Sequence, residues 1–180
     1  MAERLNSMDA IQYLTFHLGG EEYAVGILRV KEIIPYGALT KVPQTPPSIR
    51  GVINLRGSVV PVVDLALKFG RGISVETHRT CIVIVEANLD GEPTTMGIIA
   101  DSVNQVIEFS ADDILPAPVF GTHVSMNFLT GMGKSGNKFV LLLDIDRVLS
   151  ATDLDNPAAP SAGATEGAAS DRLIQETARD

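Results

Sequence analysis

The side chains that could do chemistry in this chain are few and scattered. His17, His78 and His123 lie in three separate segments, with no pair at the helical or hairpin spacing of a zinc site. The single cysteine, Cys81, sits inside the apolar run Thr80-Cys-Ile-Val-Ile-Val85, where a buried and inert thiol is expected. One cysteine supports neither an intrachain disulfide nor a thiolate metal cluster. Gly131-Met-Gly-Lys-Ser135 has the ending of a phosphate loop, but Phe128 stands where the first glycine of G-x-x-x-x-G-K-[ST] belongs. A hairpin rather than a long helix is also expected after it. The carboxylate pairs Asp112-Asp113 and Asp144 with Asp146 fall at expected helix starts, where acids favour the positive end of the dipole. No Ser/His/Asp set assembles, so neither a reaction nor a cofactor is expected.

Two charged residues call for another chemistry. Arg56 sits at a tight turn between two apolar runs, and Glu32 sits among Val30, Ile33 and Ile34. The planar donor fork of arginine reads carboxylates and backbone oxygens and often anchors interfaces. A charge ringed by aliphatic side chains suits a protein-binding groove. A turn arginine and a solvated glutamate are the plainer readings of the same residues.

The elements that must carry these residues are short. Residues 12–18 and 23–27 flank a Gly19-Gly20 turn and read as a hairpin. Residues 28–34, apolar at 28, 30, 33 and 34, suit a short helical turn ended by Pro35. Two β-branched runs flank Arg56-Gly57, and Pro61 predicts an edge strand or a bulge because it cannot donate to a ladder. Asp64 is expected to cap a short helix over residues 65–69, with Gly70 as the stop. A second set of strands is expected at 79–86, 95–100 and 103–109, with a turn over 88–93. A capped turn over 110–113 and a loop over 116–126 follow. A hairpin over 127–132 and 138–144, and a last short helix over 145–149, complete the set. Many short strands without a long helix argue for small closed barrels rather than a parallel sheet.

Composition narrows the partners. Residues 10–150 form the expected folded unit, after a flexible arm at 1–9. From residue 151 the chain turns to Ala, Pro, Ser, Gly and Thr, which predicts a disordered tail with a weak helix over 171–178. The net charge is −8, and residues 152–180 hold half of it (six acids against two bases). The remainder forms no basic cluster, which disfavours nucleic acid and an anionic membrane surface. No apolar run approaches the roughly 20 residues of a membrane span, and the first nine residues lack the apolar core of a signal peptide. A cytoplasmic protein that binds other proteins is the class that remains.

Gly51-Val-Ile-Asn-Leu-Arg-Gly57-Ser-Val-Val-Pro61-Val-Val-Asp64-Leu65 closely resembles the signature stretch of the CheW family of bacterial chemotaxis coupling proteins. Glu22-Tyr-Ala-Val-Gly-Ile-Leu-Arg-Val-Lys-Glu-Ile33, Met96-Gly-Ile-Ile-Ala-Asp101 and Ile114-Leu-Pro-Ala-Pro118 match in order. Phe128-Leu-Thr-Gly-Met-Gly133 and Leu141-Leu-Leu-Asp-Ile-Asp-Arg-Val-Leu149 extend the resemblance over about residues 10–150.

The resemblance implies a mostly β fold: two small interwoven five-stranded SH3-like barrels with short helices, divided near residue 75, the last strand and helix returning to the first barrel. It implies a non-enzymatic adaptor, without cofactor or metal. Such an adaptor links the cytoplasmic tips of chemoreceptors to the histidine kinase CheA, through its regulatory domain. Recruitment to membrane-associated arrays, and contacts with other copies in array rings, are implied as well. Carried over residue by residue, the partner-binding positions are Glu32, Arg56, Val30, Ile33, Val106 and Phe120, with Gly97 allowing close backbone approach. Two further classes stay open at this point. One is a coupling paralogue serving pilus motility or second-messenger control. The other is an enzyme with a small-molecule site near Cys81 or His78.

Overall fold

The computed structural model of the protein describes residues 10–117 and 126–150. The expected arm, the tail with its weak helix, and Phe120 lie outside the described residues. Eleven strands and two short helices follow in chain order: β1 (Ile11–Leu18), β2 (Glu21–Gly26), β3 (Val30–Pro35), β4 (Ile49–Leu55), β5 (Ser58–Val63), α1 (Leu65–Lys68), β6 (Cys81–Leu89), β7 (Glu92–Ala100), β8 (Ser102–Phe109), β9 (Ile114–Leu115), β10 (Leu129–Ser135), β11 (Lys138–Leu143) and α2 (Ile145–Val148). Single 3-10 turns cover Ile27–Arg29, Ala111–Asp113 and Met126–Phe128.

Local chemistry accounts for the turns. Arg56 and Gly57 (φ 52° and 86°) join β4 to β5, and Asp90 and Gly91 (φ 53° and 83°) join β6 to β7. Two consecutive positive φ values match the right-handed twist of a hairpin. Asn54 Oδ1 accepts from the Gly57 N–H at 2.8 Å and holds the first of these turns. Asp64 caps α1 by accepting from the Leu67 N–H, and Asp144 caps α2 by accepting from the Arg147 N–H, as the sequence predicts. Ser110 and Asp113 form a reciprocal capping box.

Several expectations change. The helical turn expected over 28–34 is a single 3-10 turn followed by the strand β3, with Pro35 as its last residue. The turn expected over 88–93 shrinks to Asp90-Gly91, and Pro93 lies within β7 opposite Asn88. Of the two places expected for Pro61, the edge strand does not hold, because β5 lies between β4 and β7. The bulge does: the β4–β5 register shifts between Ile49 and Gly51, next to the Val52–Pro61 pair. The β5–β7 ladder begins only at Val62, however, so the missing donor of Pro61 leaves no gap in it.

The strands form two curled sheets. The first has the order β8-β1-β2-β11-β10-β9 and the second β3-β6-β7-β5-β4. The first counts six strands because two-residue β9 extends the expected five. All neighbours are antiparallel except β2 with β11 and β5 with β7. In the second sheet the outermost strands meet: Ile34 of β3 and Ile53 and Leu55 of β4 pack on one cluster. In the first, the Phe109 ring of β8 lies against Gly133 of β10, where a Cβ would come within 2.5 Å of it.

Alternate residues of the central strands face different cores. Val60, Val62, Ile82, Ile84 and Ile99 fill the second barrel. Ala24, Phe109, Val140 and Leu142 fill the first. The intervening residues, among them Leu14, Phe16, Tyr23, Val63, Val83 and Ile98, form a larger core shared by both sheets. Burial on both faces explains why runs such as Cys81–Val85 are continuously apolar instead of alternating.

The two barrels are built from exchanged parts. The hairpin β1–β2 pairs with β8 and β11, while β6–β7 pairs with β3 and β5. The chain therefore reads as two similar halves, each supplying a hairpin to one barrel and the remaining strands to the other. Strands from either side of residue 75 share each sheet. Matching features recur: Asp64 and Asp144 as caps, and Gly51 and Gly131 against the backbone oxygens of Thr40 and Leu115.

Candidate functional site

Glu32 and Arg56 come together. Arg56 Nη2 lies 3.1 Å from Glu32 Oε2, with 82% of the arginine side chain and 27% of the glutamate exposed. The sheet curls to make this possible, since β3 and the β4–β5 turn sit at opposite ends of the strand order. A β-bulge at Lys31 shifts the register so that Glu32 is paired with Ile84 and Ile34 with Ile82. Glu32 thus shares a face with residues that fill the barrel. Lys31, left out of the ladder, donates to Thr95 Oγ1 at 3.1 Å and lies 2.8 Å from a Glu86 carboxylate oxygen. Both ion pairs are solvent-facing and contribute little to stability.

Ile33 and Val106 occupy equivalent places in the two halves. Ile33 pairs with Val83 on β6, and Val106 pairs with Leu14 on β1. Val83 and Leu14 in turn pair with Ile98 and Val25, the matching positions of the two exchanged hairpins. Both Ile33 (44%) and Val106 (50%) are exposed on outer strands. The bulge of β3 also recurs between Leu14 and Phe16 on the β1–β8 ladder. There, fully buried Thr15 donates its hydroxyl proton to the Gln105 carbonyl at 3.0 Å and accepts from the Gln105 N–H at 3.2 Å.

Between β3 and β8 a groove opens, lined by His17, Ile33, Arg79, Cys81, Ser102 and Val103, together with Asn104. His17 Nδ1 and Ser102 Oγ are 3.3 Å apart. The Cys81 thiol is pushed up by burial, the reverse of what a reactive cysteine needs. Among the described residues no cluster of three His, Cys, Asp or Glu side chains could hold a metal ion.

The other expected positions separate. Val30 is half-buried and packs on the shared core. Gly97 is buried, and its absent side chain makes room for Ile82 Cγ2 and Val62 Cγ2, which a Cβ would meet at 2.8 and 3.2 Å. Its close approach is to the barrel interior, between β5 and β6 side chains. Phe120 lies outside the described residues.

Sequence reasoning missed Leu28, which is 97% exposed on the turn into β3, and the exposed Val59 beside the Arg56 turn. An apolar residue two positions after Gly26 and next to charged Arg29 was the available signal. It also missed Asp146, which is more than a helix-start acid. It takes a bidentate contact from Arg29 (3.1 and 2.9 Å) and accepts from the Asn88 N–H at 2.6 Å. That contact ties the entry to β3, and so Glu32 and Ile33, to the other half of the chain.

Two curled sheets around a shared core, with an ion pair and aliphatic side chains on their outer strands, define a paired SH3-like barrel domain. Residues 12–153 match the family description "CheW-like domain". The chain is 38% identical over 144 residues to the chemotaxis protein CheW of Klebsiella aerogenes, covering 79% of this chain and 84% of that one. It is 34% identical over 142 residues to the CheW of Helicobacter pylori, covering 78% and 82%. The crystal structure of the scaffolding protein TtCheW from Thermoanaerobacter tengcongensis superposes with a TM-score of 0.69 at 33% identity, covering 77% of this chain and 86% of that one. The chain belongs to the CheW family of chemotaxis proteins.

Proposed function

We propose that this chain is a non-enzymatic chemotaxis adaptor that couples the cytoplasmic tips of chemoreceptors to the histidine kinase CheA, in membrane-associated arrays. The observation that carries this reading is the exposed Glu32–Arg56 pair on the rim of the second barrel, in a chain of this family. An arginine at a rigid two-residue turn presents its donor fork with little loss of freedom on docking. Ile33 and Val106, exposed on outer strands of the two barrels, supply the aliphatic part of the receptor surface. Val30 and Gly97 support it from within, and Phe120, carried over from the resemblance, belongs to the packing of the kinase ring.

A calorimetric titration into the regulatory domain of the cognate CheA tests this. The expected outcome is saturable binding, weakened about tenfold or more in Arg56→Glu, with the thermal unfolding of the variant unchanged. Equal affinity in the folded variant would remove Arg56 from the interface. An absence of binding by both proteins would remove the kinase as the partner.

A further inference from the structure

Each barrel is completed by a hairpin from the other half of the chain, and one short connection joins the halves. Four ladders cross between the halves: β1 with β8, β2 with β11, β3 with β6 and β5 with β7. No barrel can close from one half alone. The shared core likewise draws on both, with Leu14, Tyr23 and Val63 from the first half against Val83, Ile98 and Leu143 from the second.

The connection is anchored at both ends. On the first-half side, the Ser74 N–H and hydroxyl donate to Asp64 at 3.0 and 2.8 Å. Arg71 donates to the Gly19 carbonyl at 3.0 Å and pairs with Glu21. On the second-half side, the Thr77 N–H donates to Thr80 Oγ1 at 2.8 Å, and the Thr80 N–H donates to the Thr77 carbonyl at 3.2 Å. Only Val75 and Glu76 lie between these anchors, and both are exposed.

We propose that the halves exchange between two copies of this chain about a hinge at Val75–Glu76. The product is a dimer that carries two complete paired-barrel units. Every ladder, core contact and capping bond is reproduced between chains, so only the two hinge residues need new backbone angles. The balance between the forms is then set by concentration. A short tether gives the intrachain partner an effective concentration on the order of millimolar, so dilute protein is monomeric and concentrated refolding populates the dimer. A hinge that cannot fold back tips the balance further. This holds whichever partners the surface binds, and each dimer would present two copies of the Glu32–Arg56 surface.

The full chain tests it in two arms, both read as molar mass by light scattering. In the first, Val75→Pro with Glu76→Pro stiffens the hinge, since proline favours an extended chain. The expected mass is twice the 19.2 kDa of one chain. In the second, wild-type protein is refolded from denaturant at millimolar concentration, which requires no variant to fold. The expected result is a dimer fraction in the freshly refolded protein that, after dilution, reverts to monomer only as fast as the chain unfolds. A protease site inserted between Val75 and Glu76 identifies the kind of dimer. Cleaving an exchanged dimer releases particles with the mass of a single chain, each made of one half from each copy. A dimer that keeps its double mass after cleavage is a side-by-side contact and overturns the proposal. Monomer alone in the high-concentration refolding overturns it as well.

Discussion

The two barrels follow one plan and differ at the rim and in the way they fill. Where the second barrel carries Glu32 on its bulged outer strand and Arg56 at its hairpin tip, the first has Gln105 and Gly136. The bulge of the second exposes a charge pair, while that of the first is closed inward by the Thr15 hydroxyl. Inside, the first barrel admits the whole Phe109 ring because position 133 is glycine. The second has Ile53 and Tyr36 packed from its margins, and its glycine, Gly97, accommodates the methyl groups of Ile82 and Val62. The plan is a matter of backbone pairing and capping. The halves diverge at the rim, where the proposed partner surface lies.

The capping aspartates give the widest contrast. Asp64 is fully buried, with Arg50 at 3.0 Å and two bonds from Ser74 besides its cap. Asp144 is partly exposed and caps α2 beside Arg147 at 3.5 Å. Asp64→Ala should lower stability by about 3–5 kcal/mol, since it strands a half-buried guanidinium and breaks a network. Asp144→Ala should lose about 1 kcal/mol, the ordinary worth of a cap. Urea unfolding of both variants measures the gap, and equal losses would mean that the Asp64 network adds nothing beyond capping.

The glycines come next. Gly133→Ala would push a methyl group into the Phe109 ring, which is itself held at 5.8 Å from the Tyr13 ring. A loss of about 2–3 kcal/mol is expected, against about 1–2 kcal/mol for Gly97→Ala, where a Cβ would meet single methyl groups (Ile82 Cγ2 at 2.8 Å and Val62 Cγ2 at 3.2 Å) instead of three atoms of a ring. Denaturant midpoints at constant m-value decide this, and the reverse order would show that the aliphatic barrel is the less adaptable of the two.

The smallest effect is alkaline. Burial raises the Tyr13 phenol, and burial followed by the Glu21 hydrogen bond raises that of Tyr23 well beyond its ordinary value of 10.0. A raised pKa means that the folded state keeps its proton longer than the unfolded one. The stability contributed by these groups is therefore complete below pH 10 and falls as pH rises above it. Unfolding midpoints at pH 9 and pH 11 should differ in that direction. Tyr23→Phe should flatten the slope more than Tyr13→Phe, which separates the shared core from the interior of the first barrel.

Much of this was legible in the residues. Arg56-Gly57 allowed only a tight turn, and Asp64 before Leu65 announced a cap, because those signals depend on neighbours in sequence. The β3 segment reads as helical in the sequence for a physical reason. The bulge at Lys31 breaks its two-residue alternation, and what remains at 28, 30, 33 and 34 fits a helix equally well. For Gly97 the sequence signals a close approach but not its direction, because a glycine in a strand does not reveal which face is approached. The exchange of hairpins left no local trace at all. Strands buried on both sides are apolar throughout, so their composition does not say which partner they pair with. The contact of Arg29 with Asp146 was hidden for the same reason, being a long-range pairing between halves.

Interwoven halves also set the order of events on the ribosome. The first hairpin, β1–β2, is made early, yet its parallel neighbour β11 ends only at Leu143. At about 5–20 residues per second, the apolar sides of that hairpin wait on the order of ten seconds for their covering strands to be synthesised. During translation the nascent chain therefore carries Phe16, Tyr23 and Val25 uncovered, and its need for chaperones should be greatest before the last quarter of the domain emerges.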